Sequence, residues 1–155
     1  METMVLERYI QQAEQAFDQN EFLEGMRLLE EALSIDPKFA KAHNHMGWLY
    51  LYKLKDWTKA ELHLNYALKF APDLSFSYYH MAHILFEKAR FGELEALLKK
   101  AMTVGGVQKS FIYNEYGRMH EVRGKLGKAV KFYKSAIRWS FEEQELITVK
   151  DNIRR

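Results

Sequence analysis

The sequence predicts an all-α fold built from four similar helical units, because small residues recur along it at almost constant spacing. Neighbouring members of each series lie 34 or 35 positions apart. Two series consist of small residues only: Ala13, Gly47, Ala82, Gly117, and Ala32, Ala67, Ala101, Ala136. Two more keep the same phase: Gly25, Ala60, Leu94, Ala129, and the larger Leu29, Leu64, Leu98, Tyr133. Small residues let neighbouring helix backbones approach closely, and a large apolar residue one turn away fills the space beside them.

The first and second repeats follow the same pattern of small and aromatic residues. The first, residues 5–37, contains Tyr9 and Gln12 and closes with Asp36-Pro37. We read Asp36-Pro37 as a helix cap followed by a proline at the first helical position. The second, residues 38–72, contains Met46-Gly47 and closes with Ala71-Pro72-Asp73. It is one residue longer, and we place the extra residue in the turn near Leu54.

The third and fourth repeats complete the series. In the third, residues 73–106, Gly105-Gly106 replaces the closing proline, and the fourth, residues 107–140, contains Tyr113 and Tyr116. Short turns are predicted within each repeat, where the helical periodicity breaks: Asn20-Glu21, Lys55-Asp56, Arg90-Phe91-Gly92 and Arg123-Gly124-Lys125. Ser140 and Glu143 form a capping-box pattern, which predicts a separate final helix over 141–153. Its apolar residues should cover the last repeat: Leu146, Val149 and Ile153.

This period and pattern resemble the tetratricopeptide repeat, a helix–turn–helix of about 34 residues. The family has W-x2-L-G-x2-Y in its first helix and A-x3-F with a closing proline in its second. The resemblance covers about residues 5–140 and is best in the fourth repeat. It implies an all-α right-handed superhelix, here a single domain spanning 1–155. It also implies a scaffold, because members of the family bind unrelated partners.

Composition excludes several classes of protein. The chain has 155 residues, of which 48% are hydrophobic, and no cysteine. The absence of cysteine removes disulfides, thiol catalysis and thiolate metal sites together. Neither a signal-peptide pattern nor an apolar run of about 18 residues is present in this sequence, and we expect a cytoplasmic protein.

Charge is unevenly distributed along the chain. Residues 1–36 contain nine acidic and two basic side chains, whereas residues 99–155 contain thirteen basic and six acidic ones. One interpretation is two solvated faces that keep the protein soluble. The other is weak head-to-tail association into a homo-oligomer, or a charged docking surface at one end.

The resemblance places the first helix of each repeat along a concave groove, where a protein or peptide ligand would bind. The inward positions form an aromatic wall with interspersed polar groups: Asn44, His45, Trp48, Tyr52, Phe76, Tyr79, His80, His83, Phe111, Asn114 and Arg118. Aromatic residues offer large contact areas at low entropic cost. The alternative is that many of these residues pack between helices. Some members of the family grip a C-terminal carboxylate, but the corresponding positions here do not suit that ligand: Ile10, Glu14, His45, Phe76 and His80.

Other chemistries find little support. His80 and His83 can share a helix face, but no carboxylate cluster or HExxH spacing accompanies them, so we predict neither a metal nor another cofactor. The segment 105–110 lacks the spacing of a phosphate-binding loop. The sequence contains no catalytic motif, so we predict a protein without enzymatic activity. An RNA-binding helical repeat is the alternative function, because Lys125, Lys128, Lys131, Lys134 and Arg138 recur at helical spacing beside Tyr133 and Trp139.

Overall fold

The computed structural model describes the backbone of residues 1–153 and the side chains of residues 1–147. Within this range all regular structure is helical, which confirms the all-α fold. The eight α-helices are α1 (Glu2–Asp18), α2 (Phe22–Ile35), α3 (Ala40–Trp48), α4 (Trp57–Phe70), α5 (Ser75–Glu87), α6 (Phe91–Ala101), α7 (Lys109–Val122) and α8 (Leu126–Ile153). A π-helical segment, Leu49–Lys53, extends α3. Each predicted repeat therefore contains two helices.

The chain forms two compact units, Met1–Ile84 and Leu85–Arg155, which we call unit 1 and unit 2. Unit 1 contains α1 to α4 and most of α5, and unit 2 contains the end of α5 with α6 to α8. In unit 1, apolar residues of α1, α2 and α3 form one core with the first residue of the π-helical segment. That the whole chain is a single domain stays a prediction.

The small-residue series mark the places where helices approach most closely. Their members are buried on every helix, and the large series is fully buried at Leu29, Leu64 and Leu98 and half-buried at Tyr133. A Cβ atom added at Gly47 would lie 2.6 Å from Cγ of Leu64. One added at Gly117 would lie 2.6 Å from Cδ1 of Tyr133. Each glycine of a first helix thus receives the large side chain of the second helix of the same repeat.

The extra residue of the second repeat lies in the π-helical segment and not in the turn. Gly47 and Ala60 are 13 positions apart, whereas the corresponding pair Ala13 and Gly25 is 12 apart. The backbone N–H of Leu54 donates to the carbonyl of Leu49 at 3.0 Å, which is the i→i+5 pattern of a π-helix. The wider helical turn of the π-helix accommodates the extra residue without interrupting the helix.

Every turn within a repeat contains one residue in the left-handed backbone region. These residues are again 34 or 35 positions apart: Asn20, Lys55, Ala89 and Gly124, with φ values of 60°, 58°, 54° and 76°. The N–H of the following residue returns to a carbonyl in the last turn of the first helix, as Arg90 does to Leu85 at 2.9 Å. This bond closes the helix end in the manner of a Schellman cap.

The turns between repeats differ from the predicted caps. Neither Pro37 nor Pro72 is the first residue of a helix, because α3 begins at Ala40 and α5 at Ser75. Instead, each proline carbonyl accepts a hydrogen bond from the side chain six residues later. His43 donates to Pro37 at 2.8 Å, and Tyr78 donates to Pro72 at 2.5 Å. These bonds fix the turn against the helix that follows it.

The predicted final helix over 141–153 is wrong as a separate element. α8 runs without a break from Leu126 to Ile153, so Ser140 lies inside a helix and caps nothing. Glu143 instead accepts hydrogen bonds from the backbone N and the Oγ of Ser110, at 3.1 and 2.5 Å. Ser110 lies in the first turn of α7, where backbone N–H groups lack intrahelical acceptors. Leu146 is exposed, and the side chains of Val149 and Ile153 lie outside the described residues.

We predict that Gly47→Ala destabilises the protein while Gly127→Ala does not. The added methyl group at Gly47 overlaps the fully buried Leu64, and overpacking of this kind costs about 1–3 kcal/mol. A Cβ at Gly127, in the first turn of α8, meets nothing within 4 Å, and alanine favours a helix there. Urea unfolding measures both variants, and equal stabilities would contradict the packing described above.

Candidate functional site

A cleft of about 300 Å³ in unit 1 brings together five of the predicted groove residues. They come from α3 and α5: Asn44, His45, Trp48, Phe76 and His80. Their spacing along each helix is three or four residues, apart from the adjacent Asn44 and His45, so each helix presents one side to the cleft. The site prediction itself, that these residues bind a partner, stays a prediction.

The third wall of the cleft comes from α1, which the predicted set omits. Glu14, Phe17 and Asp18 line it. Glu14 accepts a hydrogen bond from Nε2 of His45, with 2.9 Å between the nitrogen and Oε1. Asp18 is exposed and makes no ion pair within the described part of the chain. The signal in the sequence was the i, i+3, i+4 spacing of these three residues, which places them on one side of a helix.

Aromatic rings form the apolar part of the cleft, and they differ in how much of them is free. Trp48 packs against Phe17, with 5.2 Å between ring centroids, and the ammonium of Lys53 lies 5.7 Å from its ring. Phe76 is 63% exposed. Trp48 therefore serves both the core and the cleft, whereas Phe76 serves the cleft alone.

Asn44 also has a structural role. It is only 6% exposed, and its Oδ1 accepts a hydrogen bond from Oγ of Ser77 at 2.9 Å. This bond joins α3 to α5 inside unit 1. The amide oxygen of Asn44 is therefore committed to packing, as the alternative interpretation of the predicted set expects.

Tyr52 and His83 lie beside the cleft, in an aromatic cluster with His80. The Tyr52 hydroxyl is 3.3 Å from Nδ1 of His80, and His83 stacks on the Tyr52 ring at 5.9 Å. Burial, and then the charges of His45 and His83, lower the pKa of His80 to about 4. His80 is therefore a neutral hydrogen-bonding group at neutral pH. Tyr79 is half-buried on α5 and does not line the cleft.

The remaining predicted residues belong to unit 2. Phe111 and Asn114 line a groove of about 570 Å³ between α7 and α8. Arg118 donates from Nη1 to the buried Glu115 at 2.8 Å, and its guanidinium carbon lies 4.0 Å from the ring centroid of Phe86. Arg118 is thus held by an ion pair and a cation–π contact within its own unit.

A pair of histidines lies outside the predicted set. Nδ1 of His43 is 3.0 Å from Nδ1 of His63. Nε2 of His43 donates to the carbonyl of Pro37, so in the neutral tautomer of His43 its Nδ1 accepts the proton that His63 donates. Burial, and then the proximity of His43, lower the pKa of His63 to about 4. Folding therefore favours the neutral form of His63.

The aromatic residues beside the basic side chains of α8 contact other residues of unit 2. The ammonium of Lys109 lies 4.4 Å from the centroid of the Trp139 ring. The Tyr133 hydroxyl donates to Glu121, and its ring packs over Gly117. The RNA-binding alternative therefore depends on the exposed lysines more than on base stacking.

Among the described residues, no three histidine or carboxylate side chains converge in a way that could hold a metal ion. None of the helices in that range combines the length and the apolar character that a membrane crossing requires.

Comparison with solved structures identifies the fold. The structure of MamA matches 90% of this chain and 81% of its own chain, with a TM-score of 0.76 and 16% sequence identity. PilF of Pseudomonas aeruginosa matches with a TM-score of 0.76 and 19% identity over 89% of this chain and 62% of its own. A monomeric IFIT1 mutant solved with Gppp-AAAA matches with a TM-score of 0.69 and 18% identity over 84% of this chain and 34% of its own.

These likenesses confirm the tetratricopeptide-repeat fold that the sequence pattern predicts. At such identities they establish the fold alone. No protein-family model and no curated protein matches the sequence. The ligands and activities of MamA, PilF and IFIT1 are therefore theirs, and the function of this chain has to be argued from its own surfaces.

We predict that stability falls as the pH drops from about 6.5 toward 4. His63 and His80 titrate near 6.5 when unfolded and near 4 when folded, so the unfolded chain binds more protons in this window. Each group contributes at most about 1.4 kcal/mol per pH unit. Urea unfolding at several pH values measures the slope.

His63→Gln is the matched variant for this prediction. A glutamine can still donate to His43 but does not titrate, so the pH slope should become shallower while part of it remains through His80. An unchanged slope would contradict the assignment of His63 as a titrating group.

Proposed function

We propose that this protein is a non-enzymatic scaffold, and that the cleft between α1, α3 and α5 binds a short segment of a partner protein. The observation that carries the proposal is the composition of this cleft. An exposed phenylalanine, a tryptophan, two carboxylates and two histidines surround about 300 Å³. Ligand sites in proteins combine apolar walls with a few polar groups in this way.

The walls of the cleft indicate what kind of segment would fit. Phe76 and Trp48 offer apolar contact area, and Asp18 offers a carboxylate at the rim. Residues 1–36, which include Asp18, have an excess of acidic side chains. A segment with a bulky apolar side chain next to a lysine or arginine would satisfy both parts of the cleft.

Polar groups at the cleft would orient the bound backbone. His80 is neutral at neutral pH, so its ring can accept or donate a hydrogen bond without the cost of burying a charge. His45 is held by Glu14 and by the carbonyl of Lys41, which fixes its ring. We further propose that the protein acts in the cytoplasm and without a cofactor, and that weak self-association through its charged ends accompanies partner binding.

A displayed library of random peptides tests the cleft directly. Panning against the intact protein should enrich peptides that pair an aromatic or aliphatic residue with lysine or arginine. Phe76→Ala should weaken binding of such a peptide by about 1–3 kcal/mol, and Asp18→Asn should weaken it less, because an exposed ion pair contributes little. Calorimetric titration of one enriched peptide measures both variants.

Leu23→Ala is the matched control, because Leu23 is also an exposed apolar residue but lies on α2 away from the cleft. This variant should bind normally. Phe76→Ala and Leu23→Ala should both keep the wild-type melting temperature. If the enriched peptides bind Phe76→Ala as tightly as the wild type, the cleft is not the binding site.

A further inference from the structure

Among the described residues of unit 2, one face is largely apolar and exposed, and it is equivalent to faces that are covered in unit 1. It lies between α7 and α8, and we call it the α7–α8 face: Asn114, Tyr133, Ala136, Ile137 and Phe141. Ile137 is 58% exposed and Phe141 is 69% exposed. With Val130 and Leu126, both also exposed, they form an apolar stripe along α8 at spacings of four and seven residues.

The repeat register identifies what occupies this face elsewhere in the chain. Asn114 corresponds to Ile10 in the first repeat and to Asn44 in the second, at distances of 104 and 70 positions along the sequence. Ile10 is 4% exposed and Asn44 is 6% exposed, whereas Asn114 is exposed. The first two are buried because a further helix lies on them.

The covering helices are α3 and α5. Ala42, Met46 and Leu49, of α3 and the adjoining π-helical segment, belong to the same core as Ile10. Ser77 of α5 donates its hydroxyl hydrogen to Asn44. In the first two repeats, the face between the two helices is therefore covered by the helix that follows. Among the described residues of unit 2, no helix covers the α7–α8 face.

The covering helices share one contact pattern. α3 presents Ala42 and Met46, followed by Leu49 of the π-helical segment, and α5 presents Ser77, Met81 and Ile84 at the corresponding positions. The pattern is a small residue at position i and large apolar residues at i+4 and i+7. A helix with this pattern has its contacting residues on one side.

A second copy of this chain does not suit the face. The corresponding positions of α1 are polar and exposed: Arg8, Gln12 and Gln15. These residues do not have the small and large apolar side chains with which α3 and α5 cover such a face. Two α8 stripes packed against each other would bring Lys131, Lys134 and Arg138 close to their own copies, and like charges repel.

We propose that the α7–α8 face binds an amphipathic helix of a different protein, whose apolar side has a small residue opposite Asn114 and large residues at i+4 and i+7. Acidic side chains along the edge of that helix would lie near Lys131, Lys134 and Arg138, which follow one side of the α8 stripe. Lys131 and Lys134 make no ion pair within the described range. This inference concerns unit 2 and is independent of the cleft in unit 1.

A peptide derived from α5 is the probe. It consists of residues 73–88 with four positions outside the contact pattern changed to glutamate: Phe76→Glu, Tyr79→Glu, His80→Glu and His83→Glu. It keeps the contact pattern of Ser77, Met81 and Ile84 and adds acidic charge. Fluorescence anisotropy of the labelled peptide with the intact protein should give micromolar binding that weakens at least fivefold between 50 and 500 mM salt, as the Debye length shortens.

Variants on the face identify the binding site. Ile137→Glu and Phe141→Glu should each weaken binding at least tenfold, and since both side chains are largely exposed, circular dichroism and melting temperature should not change. Lys134→Glu should weaken binding and reduce its salt dependence. Leu23→Glu, an equally drastic change at an exposed apolar residue of α2, should leave binding intact.

Three results would overturn the proposal. One is the absence of binding up to several hundred micromolar peptide, and another is equal binding of a scrambled peptide of the same composition. The third is self-association of the wild type in sedimentation experiments at 500 mM salt, where contacts between the charged ends are screened, that disappears in Ile137→Glu, because the occupant would then be a second copy of this chain. None of these results bears on the peptide cleft of unit 1.

Discussion

The structure depends on the close approach of paired helices at small residues. Where Gly47 faces Leu64, and where Gly117 faces Tyr133, the space for a methyl group is already filled by the partner side chain. Such contacts fix both the distance between two helices and their register along the axis. Because the same residue types return every 34 or 35 positions, the second and fourth repeats make the same kind of contact. A helix pair built in this way buries one face within the repeat and leaves another face for the next helix.

That remaining face accounts for both candidate binding surfaces. In unit 1 it is filled by the next helix, which carries its own outward side chains, and Phe76 and His80 of α5 thereby reach the cleft beside Trp48 and Asp18. In unit 2 the corresponding face holds no further helix among the described residues, and Ile137 is exposed. The first surface is a small cleft with acidic groups, for which we propose a peptide. The second is an apolar stripe flanked by lysines, for which we propose a helix.

Local backbone devices keep the repeats in phase. A residue in the left-handed region closes the first helix of each repeat, and a proline carbonyl anchors the turn before α3 and before α5. At Ala89 the left-handed conformation occurs without glycine, which costs about 1–2 kcal/mol and is offset by the packing on either side. The π-helical segment of the second repeat takes up one extra residue without moving Leu64 away from Gly47. The contact between the two helices is therefore preserved although the second repeat is one residue longer.

The sequence by itself determined the fold class, the four repeats and the buried small residues, because a period of 34 or 35 residues can be read directly from the order of residue types. Five of the predicted groove side chains lie at one cleft, since residues three or four apart share a helix face. Only the tertiary structure decided that Glu14 and Asp18 line that cleft and that Asn44 is hydrogen-bonded to Ser77. It also decided that Glu143 lies inside α8 and accepts a hydrogen bond from Ser110 instead of capping a new helix. The hydrogen bonds between Glu14 and His45, between Asn44 and Ser77 and between Ser110 and Glu143 join residues 31 to 33 positions apart, and no local pattern specifies which distant positions will meet.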